Sequence, residues 1–167
     1  MNFSAAIAPL EAALGDPHAG LPEEVFLFAS RITPLINVDL LIQDDSGRTL
    51  LTWRDDEFFG QGWHIPGGII RYKETAAQRI RACALQELRA EVSFDATPLL
   101  VLETIRPHRS RGHFISLLYR CRFRTPPDES LRAGDSPVAS AGTWRWHQGA
   151  PPDLLDVHAP YAQFFRC

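Results

Sequence analysis

Residues 62–92, GWHIPGGIIRYKETAAQRIRACALQELRAEV, pass from a β-rich segment through a Gly-Gly turn into a stretch, 75–91, with no glycine or proline. Ala76, Ile80, Cys83, Ala84 and Leu88 fall near one stripe of that stretch. The spacing predicts an amphipathic helix over 75–91, with Thr75 as its N-cap. Two carboxylates bracket it, Glu74 before the first turn and Glu87 near the end, with Glu91 one turn further on the same face. A glycine turn feeding a helix is where a backbone can approach a phosphate closely, because glycine has no side chain to hold the ligand off.

The rest of the chain surrounds this segment with strands. PLINVDLLIQ (34–43) and TLLTW (49–53) flank the turn DDSGR, which predicts a hairpin. PLLVLETIRP (98–107), HFISLLYRCRFR (113–124) and TWRWHQ (143–148) read as further strands, and PDLLDVHAPYAQFFRC (152–167) as one or two short helices. Before residue 33 the pattern is helical. SAAIAPLEAALGD has Ser4 as a cap, Gly15 as a stop and Pro9 working against it, and PEEVFLFASRI opens with proline and two acids. The chain therefore divides into an N-terminal helical extension, 1–32, and a domain, 33–167. The fold class is α+β, a mixed α/β/α sandwich.

Composition narrows the function classes. A net charge of −3 gives no basic stripe for nucleic acid. No apolar run reaches the roughly 20 residues of a membrane span. The N-terminus lacks the basic region of a secretory signal. Cys83, Cys121 and Cys167 are widely spaced and match no zinc pattern, which reads as reduced thiols in a cytoplasmic protein.

Gly68, Glu74 and Glu87 have the spacing of the Nudix box, and the chain resembles the Nudix hydrolases on that ground. Several other stretches resemble the GDP-mannose mannosyl hydrolase branch: EEVFLFASRITPL, DDSGRTLL, GQGWHIPGGIIRYKET, LQEL, WRW and DVHAPYAQFF, in order from about residue 22 to 165. The resemblance implies a Nudix fold and a Mg²⁺-dependent hydrolase of a nucleoside diphosphate sugar of the GDP-mannose type. The resemblance implies release of nucleoside diphosphate and sugar; it also points to a homodimer, because the branch tends to dimerise, while the sequence itself leaves the oligomeric state open. It also implies that Gly67, through its carbonyl, and Glu87 hold the metal, that Asp39 in the first strand is catalytic, and that Arg54 at the end of the second stabilises the leaving diphosphate. Asp39 stands out by itself, because an acid in an apolar strand is costly unless it is paired or faces a site. Mg²⁺ takes hard oxygen ligands and keeps waters, so few protein ligands suffice when phosphates supply others.

The chain departs from the branch at several places. Ala82, Cys83, Gln86 and Arg89 stand at box positions occupied elsewhere by Arg, Glu, Glu and Gly. Ile69 replaces an arginine, and Ser140 and Ala141 fall where the branch has a further ligand and a histidine base. His147 is the candidate replacement base by position and titration range, with His64 a second and His108, His113 and His158 further histidines. Trp63 and Tyr72, with Phe58 and Phe59, are candidates to stack a nucleobase. Two other functions stay open: a Nudix pyrophosphatase attacking phosphorus, and a catalytically impaired Nudix-fold module that binds a ligand.

Overall fold

The computed structural model describes residues 2–134 and 139–165. Cys167 and residues 136–138 of the loop before the Trp-Arg-Trp strand lie outside them. Helices α1 (Phe3–Leu14) and α2 (Glu23–Ala29) precede strands β1 (Leu35–Ile42), β2 (Thr49–Asp56), β3 (Gly60–His64) and β4 (Gly67–Ile69). Helix α3 (Ala76–Leu88) follows, then β5 (Val92–Phe94), β6 (Leu100–Ile105), β7 (His113–Phe123), β8 (Trp144–His147) and a closing 3₁₀ helix, Asp156–Phe164.

The strands form two sheets. In the first, β4, β1, β7 and β5 lie side by side and β6 also pairs with β7; β1 and β7 run parallel and the other pairs antiparallel. The second is the antiparallel trio β3, β2 and β8. This is the mixed α/β architecture expected, but the first two strands do not form the predicted hairpin. Among the described residues their pairing is limited to one bridge, between Gln43 just past the end of β1 and Thr49. Both edges of β1 are already taken, by β4 and β7, so β2 crosses to the other sheet. The hairpin instead lies between β2 and β3, closed by the Asp56 carboxylate, which accepts from the N–H groups of Phe58 and Phe59. The strand β5 was not anticipated; three residues beside a helix end carry little pattern.

Helix α3 starts where its cap dictates. The Thr75 hydroxyl accepts from the Gln78 N–H, and the Gln78 side chain returns to the Thr75 N–H. Ile80, Cys83, Ala84 and Leu88 are buried against Val38, Leu40 and Trp144. Full burial of Ile80 and Leu88 contributes roughly 1.5–3 kcal/mol each. The helix ends earlier than predicted. Arg89 adopts a left-handed conformation with φ 50°, at the place of the closing glycine of the box. Glu91 therefore leaves the helix and its N–H donates to the Thr125 hydroxyl, so it does not share a face with Glu87.

A second cluster, with Leu41, Leu51, Trp53, Trp63, Leu118, Tyr161 and Phe165, joins the sheets to the C-terminal 3₁₀ helix. Helix α1 buries no residue. Among the described residues no helix is long and apolar enough to cross a membrane.

Candidate active site

The glycine turn places Gly67 directly opposite Asp39 on β1. The flanking ladder bonds run from the Leu40 N–H to the Pro66 carbonyl and from the Ile70 N–H to the Ile36 carbonyl. Gly67 thus sits at a non-hydrogen-bonded position, and its N–H and C=O point away from β1. A side chain here would meet the Val38 carbonyl and lie 2.7 Å from Asp39 Oδ1, so glycine is what lets that carboxylate lie against the turn. At Gly68 a Cβ would fall 2.7 Å from Cys83 Sγ, which fixes how closely the turn packs on α3.

Glu87 reaches across to this turn. Its Oε1 accepts from the Gly67 N–H at 3.0 Å, and its Oε2 lies 3.2 Å from the Thr52 hydroxyl. The residue keeps some exposure, yet its carboxylate is desolvated, and burial pushes its pKa up to about 7 against the Gly67 N–H and Arg54, which pull it down. Thr52 also contacts His64 Nε2 at 3.0 Å, while His64 Nδ1 donates to the Ile65 carbonyl at 2.8 Å. Burial and then the nearby Arg54 hold the His64 pKa well below the usual histidine range, so the ring is neutral.

Asp39 is buried at 3% exposure. Tyr161 donates to its Oδ2 at 2.6 Å and the Asn37 amide to its Oδ1 at 2.9 Å, with Ser116 donating in turn to Asn37 at 3.0 Å. Burial outweighs these bonds and raises the Asp39 pKa to about 6. Asp39, Arg54, His64, Gly67 and His158 line one cavity of about 140 Å³, with Phe59 and Arg111 also in its wall. His158 Nδ1 accepts from the Ile65 N–H at 2.8 Å, and burial lowers its pKa to about 3.

Four of the expected site residues, Asp39, Arg54, Gly67 and Glu87, thus come together. Three do not. His147 pairs with Thr49 in the β2–β8 ladder and packs on Trp63, ring centroids 4.5 Å apart. Thr49 is an odd step from Thr52, so His147 lies on the opposite face of the sheet from the Thr52–His64–Glu87 group. Burial lowers its pKa to about 4. Trp63 shares that far face, 2% exposed and edge-on to Trp53, with no surface left to stack a base. Tyr72 stands exposed beside His18, outside the cavity wall. His108 and His113 lie at the β6–β7 turn, where His113 Nε2 meets Glu103 at 3.1 Å.

Other contributors escaped the sequence reading. Asn37 shares a face with Asp39 by strand alternation, a signal present in LINVDLLI. Tyr161 lies 122 residues from Asp39 and gave none. The buried thiols Cys83 and Cys121, each pushed up to about 12 by burial, are unreactive packing groups.

The oxygens gathered at the turn fit a hard divalent cation. They are the outward-facing Gly67 carbonyl, the Glu87 carboxylate and, across the ladder, Asp39; two neighbouring desolvated carboxylates gain most from a cation beside them. Among the described residues no group of three or more His, Cys, Asp or Glu forms a dedicated cage.

The family model described as NUDIX domain matches residues 33–164. The chain belongs to the Nudix hydrolase family. Nudix hydrolases act on small nucleotide substrates and generally use a divalent metal such as Mg²⁺. Solved relatives have the same fold. A MutT Nudix hydrolase from Burkholderia pseudomallei is 22% identical, with a TM-score of 0.63 over 78% of this chain and 97% of that one. A MutT protein from Methanosarcina mazei Go1 is 16% identical, with a TM-score of 0.58 over 80% of this chain and 91% of that one. The low-salt glycan biosynthesis protein Agl8 of Haloferax volcanii is 29% identical over 80 residues, 48% of this chain. The match spans about half the length of that relative, 51%.

Proposed function

We propose that this Nudix protein hydrolyses a nucleoside diphosphate sugar of the GDP-hexose type, with Mg²⁺, to nucleoside diphosphate and free sugar. The observation that supports this reading best is the single cavity where Asp39, Arg54 and the Gly67 turn meet beside Glu87. Asp39, bonded by Tyr161 and Asn37 and with a pKa near 6, is the base that takes a proton from water as the water attacks the anomeric carbon. This assignment replaces His147, which faces away. Arg54 offers its guanidinium to the departing diphosphate. Gly67 and Glu87 would hold the magnesium ion, whose contribution when bound is to neutralise diphosphate oxygens. His64 and His158, held neutral by burial, shape the wall without adding charge. The Agl8 match, a glycan biosynthesis protein by its description, is consistent with a sugar-linked substrate.

A cytoplasmic setting and a homodimer belong to the same proposal. Val101 and Ile105, 58% and 73% exposed on the edge strand β6, offer an apolar surface for self-association.

Incubation with Mg²⁺ and a panel of nucleoside diphosphate sugars, with products separated by ion exchange, tests the reaction. Nucleoside diphosphate plus free hexose is expected, with the rate rising between pH 5 and 7 as Asp39 ionises. Nucleoside monophosphate plus sugar phosphate would mean attack at phosphorus and a pyrophosphatase. No turnover of any compound would leave a ligand-binding module.

A further inference from the structure

The loop joining β6 to β7, residues 106–112, carries cationic groups that the reaction above does not use. The Arg106 N–H donates to the Gly112 carbonyl at 2.7 Å, which closes the loop. A Cβ at Gly112 would fall 2.5 Å from the His108 carbonyl, so the turn is tight. Arg111 sits in it with φ 54°, a left-handed conformation that a non-glycine residue rarely adopts. The Ser30 hydroxyl at the end of α2 accepts from the Arg111 N–H at 3.1 Å and donates to the Leu27 carbonyl at 2.8 Å. Ser30 is 5% exposed, so the helical extension anchors the loop from a buried position.

That anchoring aims Arg111 at the site. Its guanidinium lies over Phe58 and Phe59, at 4.7 and 5.1 Å from the ring centroids. The Arg54 and Arg106 guanidiniums also lie over Phe59, at 5.1 and 4.7 Å. Phe59 is shared by the cavity described above and an adjoining one of about 230 Å³ that Arg106 lines. Three guanidiniums therefore ring the junction of the two cavities. The carboxylates nearby are Asp39 in the first cavity and Glu87 beside it, both of which feel the Arg54 charge, Asp56, whose Oδ2 is 3.5 Å from Arg54 Nε, and Asp153 and Asp156 in the second cavity. The Arg106 guanidinium donates to the Phe58 carbonyl at 3.3 Å. Arg111 Nε is buried with no hydrogen-bond partner among the described residues. Burial, then repulsion from Arg54, lowers the Arg111 pKa, the sign of a cation held where an anion would relieve it.

We propose that Arg111 and Arg106, together with Arg54, form an anion-binding wall that takes the diphosphate of the substrate, with Ser30 of α2 positioning Arg111. The proposal rests on the nucleoside diphosphate reading above for the identity of its ligand. Its chemistry needs only a polyanion with closely spaced phosphoryl oxygens, which planar guanidiniums bond in pairs.

Titration of the intact protein with inorganic pyrophosphate in metal-free buffer, followed by calorimetry, isolates this wall from catalysis. Binding is expected, with R111M and R106M each weakening it about tenfold or more. S30A, which frees the loop, should weaken it less, and R122M, at an exposed arginine paired with Asp95 away from the cavities, should not change it. Absence of pyrophosphate binding by the wild type would overturn the proposal, as would equal binding by folded R111M and R106M, or an equal loss in R122M. Should R111M fail to fold, R106M decides alone. Pyrophosphate binding that depends on Arg111, in a protein that turns over no nucleotide sugar, would sink the hydrolase reading and leave the wall. Turnover with pyrophosphate binding unaltered in R111M would do the reverse.

Discussion

The two ends of the glycine-turn-and-helix segment each hold a carboxylate, and the protein treats them in opposite ways. Glu74, before α3, accepts from Arg79 Nε at 2.8 Å and from the Arg71 N–H at 2.9 Å. Desolvation would raise its pKa, but the Arg71 N–H and the Arg79 guanidinium outweigh it and the pKa is lowered. Glu87, at the far end, meets a backbone N–H and a hydroxyl but, among the described residues, no guanidinium in contact, and its pKa is raised to about 7. A carboxylate that has its counter-ion inside the fold is structural. One that is desolvated beside outward-facing oxygens is ready for a cation from solution. On the proposed function, the same box motif serves architecture at one end and chemistry at the other.

Substitution at each end should separate these roles. E87Q is expected to reduce Mg²⁺-dependent turnover about a thousandfold with little loss of stability, read as initial rates beside a urea denaturation curve. Turnover within tenfold of wild type would remove Glu87 from the site. E74A should do the opposite, because it leaves the buried Arg79 guanidinium unpaired. A stability loss of about 3 kcal/mol in urea is expected, with the rate per folded molecule nearly unchanged.

The comparison also has a pH signature. Raised pKa values at Glu87 and Asp39 mean that the folded protein holds protons the unfolded chain has released. Their contribution to stability is therefore complete below about pH 4 and is lost as pH rises through about 6 to 7. Metal-free protein should be less stable at pH 8 than at pH 5 by about 2 kcal/mol from Glu87, a figure reduced for the exposure that residue retains. E87Q should remove that share of the slope in thermal melts; an unchanged slope would contradict the desolvated carboxylate. The smallest effect is expected at His147. H147Q should leave the rate within about twofold of wild type, and a large loss would return His147 to the chemistry.

The parts of the fold visible in the sequence were those carried by local pattern. Thr75 and Gln78 make the capping box that starts α3, and the stripe Ile80, Cys83, Ala84, Leu88 is the buried face. Where α3 stops was not visible, because an arginine at position 89 gives no stop signal and yet takes the left-handed cap. The pairing of β1 was also hidden. LINVDLLI reads the same whether its neighbour is β2 or, as in the structure, the parallel strand β7, whose paired residues lie 79 positions on. His147 illustrates the remaining gap. Its distance along the chain suggested the site, but the register of β8 on β2 puts it behind the sheet.

By itself, the sequence determined the family, through the spacing of Gly68, Glu74 and Glu87 together with the ordered stretches around them, and it singled out Asp39, an acid that an apolar strand tolerates only at a paired or functional position. Those signals lie in short segments, where backbone preference and side-chain period are local. Only the tertiary structure decided which groups gather around that acid, its cavity and the glycine turn beside it. Tyr161 arrives from the C-terminal 3₁₀ helix, Glu87 from α3 and Arg111 from a loop held by α2. Such meetings depend on strand register and packing between distant elements, and a shift of one residue in register turns a side chain from the cavity to the far face of its sheet.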